Sequence, residues 1–443
     1  MKKLMLFLSI ILLISSNTLF AANVDTFGIG AKATALGGAY AAYADDVYAV
    51  YYNPAGLTQI KNKQISIGSI MIDPYLKGKN YKIEKNGSTL AGPVDFEDES
   101  PLFVVPHLGF AMPINEKMTF AIAAYIPYGL HLRWDNTENF YQNPGSYNCY
   151  ESWYYREAVT PTIGYKINDK LSIGFGVSLG KSEAGTYLNS YDMWPLTVRE
   201  KIELTDDFNY SFNFGVMYKI TDQFTIGVTY RSMADADFEG DLKLKNLSQT
   251  EKAILAAQGI TRYKTDVSLD DVDHPNQVQI GLRYSPNPKL SIEADLVWTQ
   301  WSMVDYQTLE IKDPMFQQAL GGKEIKMKRD WKDTNQVKIG IEYKPTDILT
   351  LRCGYFYDPS PIPDDTFDNI WPDADKKTYS IGAGLNFGKW QIDGTFQYTI
   401  TEKDRIVGGE SVNLNDTYGE DTKVSFKAGG DLWGYGITIT YNF

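Results

Sequence analysis

The 443-residue sequence predicts an all-β fold: a 14-stranded antiparallel transmembrane β-barrel with an N-terminal hatch in its lumen. Three observations predict it. From Gln64 onward, apolar residues alternate with small or polar ones in repeated segments of about ten residues, the spacing that sends successive side chains to opposite faces of a strand. The connections between these segments are short and long in strict alternation. The stretch 27–57 has no sustained alternation; it is rich in Gly and Ala and ends in Asn53-Pro54-Ala55.

The chain opens with a secretory signal over 1–22: Lys2 and Lys3, an apolar run from Leu4 to Ile14, then small residues up to Ala21 and Ala22. The run is too short to span a bilayer as a helix, and no later stretch offers enough apolar residues to do so. Loss of the signal takes the net charge from −13 to about −15, which argues against nucleic acid as a partner. Residues 23–63 form the expected hatch. Gly28-Ile29-Gly30-Ala31-Lys32-Ala33 imitates a dinucleotide fingerprint but lacks the preceding strand that such a motif needs. These glycines instead suit close backbone packing, and Asn53-Pro54-Ala55 reads as a tight turn.

The barrel is expected over 64–443, in strands 64–73, 104–114, 118–128, 157–167, 171–182, 208–220, 224–234, 276–286, 288–299, 334–344, 348–358, 376–387, 389–401 and 433–443. The last strand shows the pattern best: Trp433, Tyr435, Ile437, Ile439, Tyr441 and Phe443 on one face, Gly434, Gly436, Thr438, Thr440 and Asn442 on the other. A sandwich would bury the greasy face; an outer-membrane barrel turns it to lipid and rings it with aromatics, of which this chain has 31 Tyr, 21 Phe and 9 Trp. Long loops all at one end also suit a barrel with short periplasmic turns and long outer loops. Unpaired backbone groups are not tolerated in lipid, so the sheet must close. At this strand number side chains cannot fill the interior, and the residues before Gln64 are the one segment of a size to do so. Cys149 and Cys353 are expected to be unpaired, one in a loop and one in a strand.

The residues also resemble a family. Gly37-Gly38-Ala39-Tyr40, Ala44-Asp45-Asp46, Tyr52-Asn53-Pro54-Ala55-Gly56-Leu57, Pro127-Tyr128-Gly129-Leu130, Gly227-Val228-Thr229-Tyr230-Arg231-Ser232, Phe238-Glu239-Gly240, Trp298-Thr299-Gln300-Trp301-Ser302, Leu351-Arg352-Cys353-Gly354-Tyr355 and Tyr357-Asp358-Pro359-Ser360-Pro361-Ile362-Pro363 follow in the order and spacing of the FadL family of outer-membrane transporters for long-chain fatty acids and aromatic hydrocarbons. The resemblance covers essentially the whole mature chain. The segment at His274-Pro275-Asn276-Gln277 departs from the more apolar start usual in that family, and Cys353 stands where a small residue is usual. The resemblance implies a monomeric barrel closed by a hatch, with Asn53, Pro54 and Ala55 as a hatch element. It further implies ligand capture by outer loops, an apolar lumen pocket, and release sideways near the third strand.

Candidate site residues follow. Pro127 and Gly129 mark either the end of the third strand or a local break in pairing that opens the wall, since proline cannot donate to the ladder. Arg231, Arg283, Lys338, Glu342, Arg352, Glu293, Asp295 and Asp393 fall on the inward face, because such charges are too costly against lipid. They anchor the hatch, or Arg231 and Arg352 meet a ligand carboxylate. Leu188, Tyr191, Met193, Trp194 and Leu196 in one outer loop, with Ile254 and Leu255 on a short helix in the next, form either loop packing or a capture groove. That helix is announced by the capping box Ser248-Gln249-Thr250-Glu251. Asp364, Asp365, Asp368, Asp373 and Asp375 match no calcium loop, so solvation or cation bridging to lipopolysaccharide is expected. His107, His131 and His274 are too scattered for a metal site, and no catalytic group or cofactor is expected.

The expected function is passive transport of a hydrophobic small molecule. The expected partners are that ligand, outer-membrane lipids and lipopolysaccharide, and the barrel-assembly machinery. Two alternatives remain from other classes: a phospholipase-type barrel enzyme and a general water-filled porin.

Overall fold

The computed structural model describes residues 27–196, 198–257, 259–320, 322–401 and 405–443. The expected signal at 1–22 lies outside the described residues. Twenty strands are found among the described residues, joined in one sheet. Fourteen form the closed ring: β1 (Gln64–Lys85), β3 (Phe103–Pro113), β4 (Met118–Arg133), β5 (Glu151–Lys166), β6 (Leu171–Asn189), β7 (Arg199–Lys219), β8 (Phe224–Arg231), β11 (Gln277–Asn287), β12 (Leu290–Thr299), β15 (Thr334–Tyr343), β16 (Leu349–Asp358), β17 (Lys376–Phe387), β18 (Trp390–Thr401) and β20 (Thr422–Asn442). Each pairs antiparallel with the next, and β20 returns to β1 from Gln64↔Asn442 to Lys85↔Thr422. All fourteen expected strands are present. No helix among the described residues is long and apolar enough to cross a membrane.

The greasy face points outward, as expected. Ile67, Phe175, Phe212, Ile280, Leu296, Ile381, Tyr435 and Ile437 are all exposed on the ring's outer wall. So large an apolar surface is unfavourable in water and fits lipid. Aromatic pairs such as Trp390–Tyr441 and Tyr398–Trp433, each with ring centroids 4.7 Å apart, lie toward the two ends of the wall.

Several strands run past their expected ends, and six further strands stand in the long connections: β2 (Ser88–Glu97), β9 (Phe238–Lys245), β10 (Lys264–Asp270), β13 (Tyr306–Ile311), β14 (Glu324–Lys328) and β19 (Arg405–Gly408). β2 pairs with the extension of β1, β9 with that of β7, and β10, β13 and β14 continue from β9 as a sheet beyond the ring. The reading by alternation stopped short because β-bulges reverse the phase. A bulge adds one residue to one strand, so side chains beyond it change faces. In β4 the register shifts between Tyr125 and Tyr128; inward residues run 119, 121, 123, 125 below it and 128, 130, 132 above it.

The N-terminal segment fills the ring. It consists of the helix Ala31–Ala35, the helical turn Ala49–Tyr52 and a 3-10 turn Pro54–Gln59. Glycines on the inner wall let its backbone come close. A Cβ on Gly174 or Gly215 would overlap Pro54 or Asn53, one on Gly227 would overlap Ala41, and one on Gly354 would overlap Gly37. These positions adjoin across the ladders as Gly164↔Gly174↔Gly215, Gly227↔Gly281 and Gly340↔Gly354. Inward polar groups then satisfy the segment's irregular backbone, as any buried backbone requires. Asp295 Oδ2 accepts from Tyr40 N at 3.1 Å and Ala41 N at 3.0 Å. Glu293 Oε1 accepts from Ala42 N at 2.6 Å, and Thr229 Oγ1 donates to Tyr52 O at 2.8 Å.

Candidate functional site

Asn53 shows why the expected turn needs its residue types. Its Oδ1 accepts from Ala55 N at 3.1 Å, closing the turn, while Nδ2 donates to Ala41 O at 2.6 Å and to Val216 O of β7 at 3.0 Å. Pro54 begins the 3-10 turn, where a missing N–H costs nothing. The motif therefore ties two parts of the segment to each other and to the wall.

All eight expected inward charges face the lumen, and their partners decide what they do. Arg352 lies between Glu342 (2.8 Å) and Asp393 (2.7 Å), so its fork is occupied by two carboxylates of the wall. Arg231 donates to Tyr51 O at 2.9 Å and to Gln279 Oε1 at 3.1 Å, also bonds Gln277, and stands over the Tyr51 ring. Arg283 lies over the Tyr43 ring at 3.5 Å, and Tyr43 donates to Glu342. These groups join wall to N-terminal segment.

Above that segment lies a cavity lined by Trp301, Trp331, Trp371, Tyr128, Leu130 and Ile362, together with the polar Gln277, Gln336, Asp358 and Lys376. The indoles meet edge to face, with Trp301–Trp331 at 5.4 Å and Trp331–Trp371 at 5.5 Å. The cation is held locally: Lys376 Nζ reaches Asp373 at 2.7 Å and Asp358 at 3.4 Å. Aromatic walls of this kind suit an apolar body. Sequence reasoning missed it because its tryptophans come from distant parts of two long connections, only Trp301 being near a recognised motif.

Pro127 lies beside a window in the backbone pairing of the wall. The β3–β4 ladder runs from Pro113↔Thr119 to Leu108↔Ala124 and stops. Further along, the chain just past β2 bridges the end of β4 at Asp98↔Trp134, where Glu99 N donates to Arg133 O at 2.7 Å. Between these points no register pair joins 101–107 to 125–131. Pro106 and Pro127 lie on the two sides of this window, and neither carries an N–H to close it. The β4 bulge places Pro127 out of register with β5 as well. Gly129 follows, paired with Tyr155.

The outer-loop candidates divide. Ser248 and Glu251 form the expected capping box, Glu251 N donating to Ser248 Oγ at 3.1 Å and Ser248 N to Glu251 Oε2 at 2.7 Å. On the helix Gln249–Ala257, Leu255 is buried in the loop core and Ile254 is exposed. Tyr191, Met193 and Leu196 are half-buried against that core; Tyr191 packs on Phe140 at 5.3 Å and on Tyr418 at 5.2 Å. Trp194 stays exposed beside Phe140 at 5.7 Å, and Leu188 is half-buried at the end of β6. The aspartates of loop 359–375 divide: Asp364 and Asp365 are exposed as expected, whereas Asp368 pairs with Arg329 and Asp373 with Lys376. Among the described residues no group of side chains could hold a metal ion, and Cys149 and Cys353 are free.

A closed barrel with a lipid-facing apolar wall and a lumen occupied by the chain's own N-terminal segment defines a class: membrane-spanning barrels whose interior is filled rather than open. The comparisons give the family. Residues 11–443 match the model of the outer membrane protein transport protein family (OMPP1/FadL/TodX), and the chain belongs to it. It is 24% identical over 442 residues to a long-chain fatty acid transport protein of Escherichia coli O6:H1, covering 93% of each chain. Among solved structures it resembles a Pseudomonas aeruginosa FadL homologue, with TM-score 0.78, 20% identity, 96% of this chain and 100% of that one. It also resembles the Pseudomonas putida toluene transporter TodX, with TM-score 0.68, 17% identity, 96% of this chain and 100% of that one. The fold and family place the protein in the outer membrane.

Proposed function

We propose that this protein is a passive channel for hydrophobic small molecules, long-chain fatty acids or hydrocarbons, across the outer membrane. One observation carries the reading: an aromatic cavity sits between a stoppered lumen and a wall left unpaired beside it. Solute is captured among the outer loops around Tyr191, Trp194 and Ile254. It settles its apolar body among Trp301, Trp331 and Trp371. It leaves sideways through the window between β3 and β4, into the apolar part of the bilayer. The N-terminal segment acts as the hatch that keeps water from following. No step needs a catalyst, and the protein is not an enzyme in this reading.

The charges near the cavity support an apolar body there, since Lys376 is already held by Asp358 and Asp373. Binding must also be moderate enough to permit release, because transport here has no energy source.

The test is mass spectrometry of the protein purified in mild detergent. A co-purified apolar molecule, displaced by the Trp331→Ala substitution, is the expected result. A purified protein that never retains such a molecule and binds none on titration would refute the reading. Hydrolysis of phospholipid would point to the barrel enzyme, and rapid liposome swelling in sugars to a porin.

A further inference from the structure

β1 and β20 run on past the aromatic end of the wall, and their outward faces change character there. On β20 that end is marked by Tyr435 and by Trp433, whose ring packs on Tyr398 at 4.7 Å. Beyond it the ladder reads Tyr75↔Asp431, Lys77↔Gly429 and Lys79↔Lys427. Tyr75, Lys77, Lys79 and Lys427 are exposed on the outer wall, while Leu76, Gly78 and Phe426 between them are buried. Gly429 carries no side chain, so a hollow opens between the lysines and the rings of Trp433 and Tyr435. At a rise of ~3.4 Å per residue and a tilt of about 40°, Gly429 and Lys427 lie roughly 10 and 16 Å beyond Trp433. That is headgroup depth and just above it, and lysine side chains fold back toward that level.

Lys79 and Lys427 face each other across the ladder, and like charges directly opposite one another destabilise a sheet. Neither forms an ion pair among the described residues. Lys181 on β6, Lys201 on β7, Lys243 on β9 and Lys264 on β10 each meet a carboxylate instead. The acids near the lysine pair are engaged or stand at other rungs. Glu97 holds Lys77 at 2.8 Å, Asp95 accepts from Asn80 N at 2.7 Å, and Asp431 is level with Tyr75. In a chain of net charge −13, two facing lysines are thus left for an anion from outside the chain.

We propose that this face of β1 and β20 binds a phosphorylated glycolipid of the outer leaflet, the lipid A of lipopolysaccharide. A phosphate set between Lys79 and Lys427 replaces their repulsion with two charge-assisted contacts. A sugar covers the hollow at Gly429, against Tyr75 and Trp433. The acyl chains run down the wall past Tyr435 and Ile437, both exposed. The lipid lies across the seam where the last strand meets the first, and its binding is independent of the transport reading above.

The experiment is native mass spectrometry of the full, folded barrel in detergent, with diphosphoryl lipid A and phosphatidylglycerol added in equal amounts. The unaltered protein should retain lipid A in preference. Lys79→Gln combined with Lys427→Gln should lower the affinity for lipid A about thirtyfold, the worth of two lysines near a lipid surface. Lys181→Gln combined with Lys201→Gln should leave it unchanged. Lipid A stripped of its phosphates should bind the unaltered protein as weakly as diphosphoryl lipid A binds the Lys79→Gln, Lys427→Gln protein. Heat-modifiable mobility checks that each variant is folded. Three results would overturn the assignment: equal retention of phosphatidylglycerol, undiminished lipid A affinity after both substitutions, or displacement of lipid A by millimolar inorganic phosphate, which would mark a site for free anions.

Discussion

At the scale of single residues, the side chains that matter are those whose partners fix their use. Arg352 lies in a recognisable motif but is engaged by Glu342 and Asp393. The three indoles lie in less telling sequence yet build the cavity. Trp331→Ala should weaken binding of an apolar probe by about 2 kcal/mol, or about thirtyfold, from lost aromatic contact; tryptophan-quenching titration measures it. Asp98, at the top of the window, should carry a pH dependence. Burial pushes its carboxyl up to about 6, and its Oδ2 is shielded without a hydrogen-bond partner. The folded state disfavours the charged form. Stability of the Asp98–Trp134 closure should therefore be highest near pH 4 and fall as pH rises through about 6, by on the order of 2 kcal/mol. Asp98→Asn should remove that slope. Hydrogen exchange at the Glu99 amide, corrected for intrinsic rate, is the measurement; a slope persisting in the variant would contradict the assignment.

At the scale of elements, the strands were legible where alternation was unbroken and lost where a bulge reversed it. The third strand was expected to end at 128 because the pattern fails there. It continues to Arg133 with its faces exchanged, and this exchange turns Tyr128 and Leu130 into the lumen. The six loop strands escaped notice because they pair beyond the membrane, where one face need not be greasy. The capping box of the loop helix was legible because its signal is local. For β4 itself, Pro127→Ala restores a donor beside the window. Uptake of an apolar solute into proteoliposomes should drop severalfold while barrel assembly, read by heat-modifiable mobility, is unaffected. Undiminished uptake would remove Pro127 from the route.

At the scale of the whole molecule, the barrel and its N-terminal segment are matched surfaces. Their match was half legible: the segment before Gln64 was the right size, and the inward charges had the right phase. Which wall glycine meets which part of the segment could not be read, because that depends on strand stagger around the ring. A Cβ at Gly215 would overlap Asn53, so Gly215→Leu should unseat the turn. The ring should still assemble, and liposomes carrying it should swell in sugar solutions at rates the unaltered protein does not reach. Asp295→Ala, which strips the acceptor from Tyr40 N and Ala41 N, should give a weaker form of the same leak.

The ring also carries its own reporter. Cys149 is buried in the loop core, whereas Cys353 projects from β16 through the outer wall. A bilayer-partitioning maleimide spin label should therefore attach at a single native position, among acyl chains. Its accessibility to oxygen against a water-soluble relaxant would give the immersion depth of that strand, and thus the protein's vertical seating, without engineering any residue.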